Sequence, residues 1–401
     1  MTEPEQPGTP TVAARTRRER LAWFRARRPG RSRWGWWTRA AVALCVSWLV
    51  FVVLHRSLSG RYYWWGPFDL LPPFVFAAVP LLLLPVAQFA RPVRWRLTLV
   101  PVLALVLGLG ISGINFGTVF YSPSAPPPDA IKLVTWNTEY WDQDVRESGH
   151  GTAYFYRFLR GLDADVYLLH EYAHADFTLP DVFAQALVID QMAELRQNFP
   201  GYQIILEGRN ITLSRLPVVA HRPLYSTPWL PDDLKPLPPA FDGHPLFYTS
   251  QVLRTDIRVG DRVVSFYDTH LFQPPRRMLM MKGEPGQSVF QVDRFNFSMR
   301  RASLEAIRAD VKDNPQPIVL AGDLNTSPSM GALRMLPDRL VDHTRALSSL
   351  YPATWEVGKR PYWRIDWLRT TPDVNVHRYE FLDPQGLSDH RVQQIQLTVQ
   401  G

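Results

Sequence analysis

The rhythm of apolar and polar residues changes near residue 121. Before it, apolar residues run on without alternation, at Ala40–Leu54, Leu70–Ala90 and Leu97–Phe120. The second and third runs have the roughly 20 residues that cross a bilayer as helix, and Trp36 and Trp37 extend the first, so residues 40–121 are predicted to form three transmembrane helices. Pro72, Pro73, Pro80 and Pro85 leave a re-entrant hairpin open for the second run. After residue 121 short apolar stretches alternate with polar ones. Ile131–Thr135, Val166–His170, Tyr202–Leu206, Ile211–Ser214, Val218–Ala220, Ile318–Ala321, Ile365–Leu368 and Val392–Val399 read as strands. Tyr248–Val259 and Arg262–His270 read as a hairpin about Gly260-Asp261. Ala153–Leu162, Val182–Asn198 and Arg294–Asp313 have helical spacing. Strands with a few helices between them predict packed sheets covered by helices, an α/β fold.

Charge divides the chain in the same way. The net charge of +7 is concentrated at the start: residues 1–39 carry ten Arg against three Glu, and residues 122–401 carry 29 Lys and Arg against 33 Asp and Glu. The basic balance therefore belongs to residues 1–39, which read as a disordered basic tail, and it is no nucleic-acid footprint on the large domain. The tail and the loop Arg91, Arg94, Arg96 are expected on the cytoplasmic side, with Tyr62-Tyr63-Trp64-Trp65 on the other. Three crossings would then put residues 131–401 outside the cytoplasmic membrane. Residues 122–130, rich in proline, are expected to be a stiff connector holding that domain a short distance off the bilayer. The single cysteine, Cys45, lies in the first apolar run, which excludes a disulfide framework or a thiolate metal site in the large domain.

Polar residues gather where the short strands end: Asn137, Glu171, His270, Asp323 with Asn325, Asp366, and Asp389 with His390. All are types that hold divalent metals or move protons, and their recurrence predicts one convergent site. Period-two alternation puts Asp323 and Asn325 on one side of the chain. Phe272 to Arg277 and the apolar cluster Met278–Lys282 follow His270, an arrangement that could touch lipid head groups or form a buried turn.

The stretches LVTWNTEYW, YLLHEY, ITLSRLPVV, FYDTHLF, IVLAGDLNTSP, RIDWLRT and GLSDHRVQ, in that order over residues 131–399, resemble the endonuclease/exonuclease/phosphatase superfamily. The resemblance implies a four-layered α-β-β-α sandwich of two mostly antiparallel sheets. It implies a hydrolase of phosphate esters or phosphodiesters that uses Mg²⁺ or Mn²⁺. Glu171 matches the direct metal ligand, a hard carboxylate for a hard cation. Asn137 matches a neutral oxygen ligand and Asp389 a metal-proximal carboxylate. His390 matches the catalytic histidine and Asp366 the carboxylate that orients it. Asp323 matches the residue that positions the attacking water, and Asn325 the amide that holds a phosphoryl oxygen. His270 matches a second histidine that contacts the phosphate or leaving group. Trp367 stands where the family commonly has another aromatic such as Tyr.

The family defines the reaction more closely than the substrate. The tether, the short connector and the lack of net positive charge on the domain point to a phosphorylated lipid or cell-envelope molecule. An extracytoplasmic nuclease and an inactive membrane scaffold are the alternatives.

Overall fold

The computed structural model describes residues 34–141, 151–175, 186–237, 245–274, 289–357 and 360–400. Most of the basic tail, residues 1–33, and the Met278–Lys282 cluster lie outside the described residues. The main helices in chain order are α1 (Trp36–Leu58), α2 (Val75–Gln88), α3 (Arg94–Leu109), α4 (Gly151–Leu162), α5 (Met192–Asn198) and α6 (Val289–Asp313). The first six sandwich strands are β1 (Ile131–Asn137), β2 (Val166–His170), β3 (Gln203–Glu207), β4 (Asn210–Ser214), β5 (Val218–Tyr225) and β6 (Ser250–Val259). The others are β7 (Arg262–His270), β8 (Ile318–Asp323), β9 (Val341–Asp342), β10 (Asp366–Thr370), β11 (Val374–Leu382) and β12 (Val392–Val399).

They form two six-stranded sheets, ordered β11-β12-β1-β2-β4-β3 and β9-β10-β8-β7-β6-β5. Each sheet has one parallel pair, β1 with β2 and β7 with β8, and is otherwise antiparallel. A parallel pair needs a crossover, and α4 and α6 supply one each. The inward residues of both sheets share one core: Leu133, Leu168, Phe266, Val319, Ala321 and Leu368. The outward residues carry the helices. Phe155 and Leu159 of α4 pack on Val134 and Tyr167, and Leu304, Ile307 and Val311 of α6 pack on Tyr267, Ile318 and Leu320. The result is the helix–sheet–sheet–helix layering expected from the sequence. Of the helix expected over Val182–Asn198, residues 182–185 lie outside the described residues and 186–191 are not helical; the helix starts at Met192, where Asp190 Oδ1 accepts from the Met192 N–H at 3.2 Å.

The N-terminal part differs from expectation. Among the described residues one helix, α1, is long and apolar enough to cross a membrane, with 23 residues. Helices α2 and α3 have 14 and 16 residues. At 1.5 Å per residue they reach about 21 and 24 Å, short of a hydrocarbon core of roughly 30 Å. Composition alone had suggested three crossings, but Pro72-Pro73 delays α2 and the turn at Gly110 stops α3 well before Phe120. The three helices pack together through small side chains, with Ala41, Cys45 and Ala87 against Leu83 and Leu97.

This bundle docks directly on the sandwich. Asn115 Nδ2 donates to Thr344 O, Leu347 O and Ser349 O at 2.9, 3.0 and 3.1 Å, and Leu350 O accepts from the Asn115 N–H at 2.7 Å. Gly60 has φ +73°, and a β-carbon there would collide with the Gly331–Ala332 backbone. The connector runs along β11, where Ser124 Oγ and His377 Nδ1 lie 2.7 Å apart. Buried hydrogen bonds thus join the bundle directly to the domain.

Candidate active site

Both parallel pairs end at the same edge of the sandwich. Asn137 pairs with His170 at the end of β1 and β2, and Asp323 pairs with His270 at the end of β7 and β8. Crevices at the carboxyl ends of parallel strands are where α/β proteins place ligands. Asp366, first residue of β10, pairs antiparallel with Asp323. Alternation turns Asn137, His270, Asp323 and Asp366 to the space between the sheets, continuing the rows that begin with Leu133, Phe266, Ala321 and Leu368. Glu171, Asp389 and His390 come from loops at that edge. Glu171 has φ +66° and Asn325 φ +46°, a left-handed backbone that costs non-glycine residues about 1–3 kcal/mol and is concentrated at functional sites.

The structure brings the expected residues together. Asn137 Nδ2 donates to Glu171 Oε1 at 3.3 Å and to Asp323 Oδ2 at 3.1 Å. His270 Nε2 lies 3.4 Å from Glu171 Oε1 and 3.8 Å from Asp323 Oδ2. His390 Nδ1 is 3.0 Å from Asp366 Oδ2, and its Nε2 is 3.7 Å from Asp323 Oδ2 and 3.8 Å from Asp389 Oδ1. Asn325 braces Asp323: its N–H donates to Oδ1 at 2.7 Å, and its Nδ2 is shared between Oδ2 at 3.1 Å and Leu271 O at 2.8 Å. Asp389 sits at the rim, where Trp355 Nε1 donates to its Oδ2 at 2.7 Å. The loop carrying His390 is pinned by Ser388 Oγ donating to Asn137 O at 2.8 Å and by Trp136 Nε1 donating to His390 O at 3.0 Å.

The electrostatics are divided between the two histidines. Burial drives the His270 ring well below the usual imidazole range, and Arg209, His170 and His390 push the same way. Burial also acts to lower His390, but Asp366, Asp323 and Asp389 outweigh it and hold that ring well above the usual range. Burial pushes the Asp323 carboxyl up to about 7, with His390 drawing it down and Asp366 raising it. The two histidines beside one carboxyl are thus pushed in opposite directions, the pattern from which acid–base roles are built.

The donor set fits a hard divalent cation. Asp323, Asp366 and His390 each bring a ligand atom within 4.8 Å of the others. Glu171 and Asp323 meet across Asn137 and His270, two buried carboxylates whose charge a cation would offset.

Other buried groups support the site. His170 Nδ1 lies 2.6 Å from Asp268 Oδ1, with both side chains fully buried between the sheets, and the His170 ring stacks on His270 at 6.0 Å. Arg300, buried on α6, donates to Phe272 O, to Asn325 O at 3.0 Å and to Thr326 Oγ1 at 2.7 Å. The sequence reading assigned no role to these three. Asp268 is two residues before His270 on one strand face, and Arg300 stands in the apolar row of Leu304, Ile307 and Val311, so these two positions carry a periodicity signal, while the pairing of Asp268 with His170 does not.

A two-sheet sandwich with this acid–histidine edge is the architecture of a metal-dependent phosphoric ester hydrolase. The chain belongs to the Endonuclease/Exonuclease/phosphatase family, whose profile matches residues 134–390, more than half of its 401 residues. No curated protein matches the chain. Among solved structures, an endonuclease/exonuclease/phosphatase from Bacteroides vulgatus is similar at 17% identity and a TM-score of 0.46, over 68% of this chain and 99% of that one. A humanized D. rerio TDP2 is similar at 12% identity and 0.45, over 68% and 100%. The Bacteroides thetaiotaomicron mannosyl-6-phosphatase is similar at 14% identity and 0.44, over 67% and 99%.

Proposed function

We propose that the protein is a membrane-tethered hydrolase of a phosphorylated lipid or cell-envelope molecule. The observation that carries this reading is the docking of the helical bundle on the active-site edge. His55 Nε2 lies 2.9 Å from Ser329 O, and Gly331 N donates to Ser59 Oγ at 2.7 Å, just beyond the loop that starts at Asp323. The bundle also exposes a broad apolar surface: Leu82, Trp95, Leu99 and Val106 are 68, 73, 67 and 64% exposed. A surface of this kind on an aqueous protein is a liability, and lipid would cover it. The site would then open close to the bilayer surface, where an amphiphile presents its phosphate. With α1 crossing once and the basic tail in the cytoplasm, the domain lies outside.

The chemistry follows from the residues at the edge. Mg²⁺ or Mn²⁺, held by Glu171 with Asn137 and Asp389, would offset the charge of the phosphate and of the leaving oxygen. Asp366 fixes the His390 ring so that Nε2 faces Asp323. The ring then supports a phosphoryl oxygen while Asp323 positions the water that attacks phosphorus in line. His270, on β7 beside Asp323 on β8, faces Glu171 and Asp323 and contacts the phosphate or leaving group.

The test is a substrate panel on the full-length protein in vesicles, with Mg²⁺ or Mn²⁺, offering phospholipids, polyprenyl phosphates and DNA. Lipid phosphates should be turned over, a chelator should abolish turnover, and Glu171→Ala and His390→Ala should each lower it by about 10²-fold or more. Cleavage of DNA alone would overturn the lipid assignment.

A further inference from the structure

Asp69 lies on the turn Gly66–Asp69, between α1 and α2, and is buried against the sandwich. It faces Arg300, whose electrostatic partners are Asp69 on the bundle side and Asp323 on the active-site side. Both line one partly enclosed cavity of about 30 Å³, with Gly60, Pro274 and Met330 on its walls. The cavity has room for about one or two waters. Among the described residues Asp69 Oδ1 is buried with no hydrogen-bond partner, and the cavity leaves room for a water to link it to the guanidinium. Burial lifts the Asp69 carboxyl to about 6, against hydrogen bonding from Ser59 and the charges of Arg300 and Arg334. Burial lowers Arg300 to about 10 while Asp69 and Asp323 hold it up.

Arg300 has a defined mechanical position. Its three acceptors, Phe272 O, Asn325 O and Thr326 Oγ1, belong to the two loops that follow His270 and Asp323. The guanidinium therefore ties together the loops whose strands present those two residues. A buried cation stays in place only if its charge is answered. Among the described residues the charges that hold Arg300 up are Asp69 and Asp323, and the reaction needs Asp323.

We infer that Asp69 is a positioning residue of the active site: it answers the charge of Arg300, and Arg300 holds the His270 and Asp323 loops in register. The N-terminal bundle is then a working part of the catalytic unit. Its neighbouring contacts act on the same segment. Trp65 Nε1 donates to His55 Nδ1 at 3.1 Å, which leaves His55 Nε2 to donate to Ser329 O, and Arg334 Nη2 donates to Ser59 O at 2.9 Å.

The test uses the full-length chain in detergent with a soluble aryl phosphodiester and Mg²⁺, so that it is independent of which ester is the natural substrate. Asp69→Asn should lower kcat roughly tenfold with KM within about twofold, since small misplacements of catalytic groups are costly in rate. Asp69→Glu should restore most of it. In a double-mutant cycle, Asp69→Asn should add no loss to Arg300→Gln, because its effect is transmitted through that guanidinium. Asn115→Ala loosens the bundle on its other side and should leave kcat within about twofold. Wild-type kcat in Asp69→Asn, full additivity with Arg300→Gln, or an equal kcat loss in Asn115→Ala would each overturn the inference. The cycle needs both single variants folded, which thermal unfolding checks; if Asp69→Asn fails that check, a folded Asp69→Glu with a roughly tenfold loss of kcat overturns the inference instead.

Discussion

His343 lies just after the edge strand β9, nearly buried, with Nε2 2.7 Å from Thr370 Oγ1. Burial lowers its ring from 6.5 to about 4; Asp342 opposes this, while Arg345 and Arg369 add to it. The unfolded chain takes up the proton first as pH falls. The native state therefore has its full stability above pH 6.5 and loses it progressively down to about pH 4, at a slope near 1.4 kcal/mol per pH unit. The whole window is worth at most about 3 kcal/mol. Replacing His343 with Gln should flatten this part of the stability curve. Thermal unfolding of both chains at pH 7 and 4.5 checks it: wild type should lose several degrees more than the variant, and parallel losses would contradict the reading. This histidine has no part in the site, and nothing in the sequence around it signals burial. The site residues were different. Asn137, Glu171, His270, Asp323 and His390 were visible because each ends or follows a short apolar run, and period-two alternation then gives the face. The salt link of His170 to Asp268 was hidden because its members are on separate sheets.

At the scale of elements, the strands and crossover helices were legible because two-residue and 3.6-residue periods survive in the large domain. The apolar runs before it were less informative. Hydropathy counts side chains and is blind to a Pro pair or a glycine turn that ends a helix, so three runs gave one helix of membrane-crossing length. Strand β8 shows a finer constraint that alternation also misses. Gly322, next to Asp323, has φ +138°, and a β-carbon there would meet Thr269 O and the His170 ring. The strand can approach its parallel partner and the buried histidine only with glycine at that position. Gly322→Ala should destabilise the protein by about 2–4 kcal/mol and reduce turnover by displacing Asp323. Denaturant unfolding and steady-state kinetics on the same preparation would show both. An unchanged midpoint would mean that β7, β8 and His170 are less tightly joined than these contacts require.

At the scale of the whole molecule, bundle and sandwich share an interface that no local pattern announces. Ser59, Asp69 and Asn115 are polar residues in or beside apolar runs, and their partners lie more than 200 residues away in the chain. The sequence suggested an anchor followed by a detachable domain, and a soluble fragment starting near residue 125 would be the natural reagent. The contacts argue that this fragment is incomplete. It leaves Gly331 N without Ser59 Oγ, Leu347 O and Ser349 O without Asn115, and the buried Arg300 without Asp69. Hydrogen exchange on the fragment and the full chain distinguishes the two views. The Gly331 amide should lose protection in the fragment, while Val319, Leu320 and Ala321, in the centre of β8 and paired on both sides, should keep it. Its kcat on a soluble phosphodiester should fall by roughly tenfold or more, in line with a loosened catalytic loop. A fragment with full protection at Gly331 and wild-type turnover would show that the bundle only holds the enzyme at its membrane and contributes nothing to the geometry of the site.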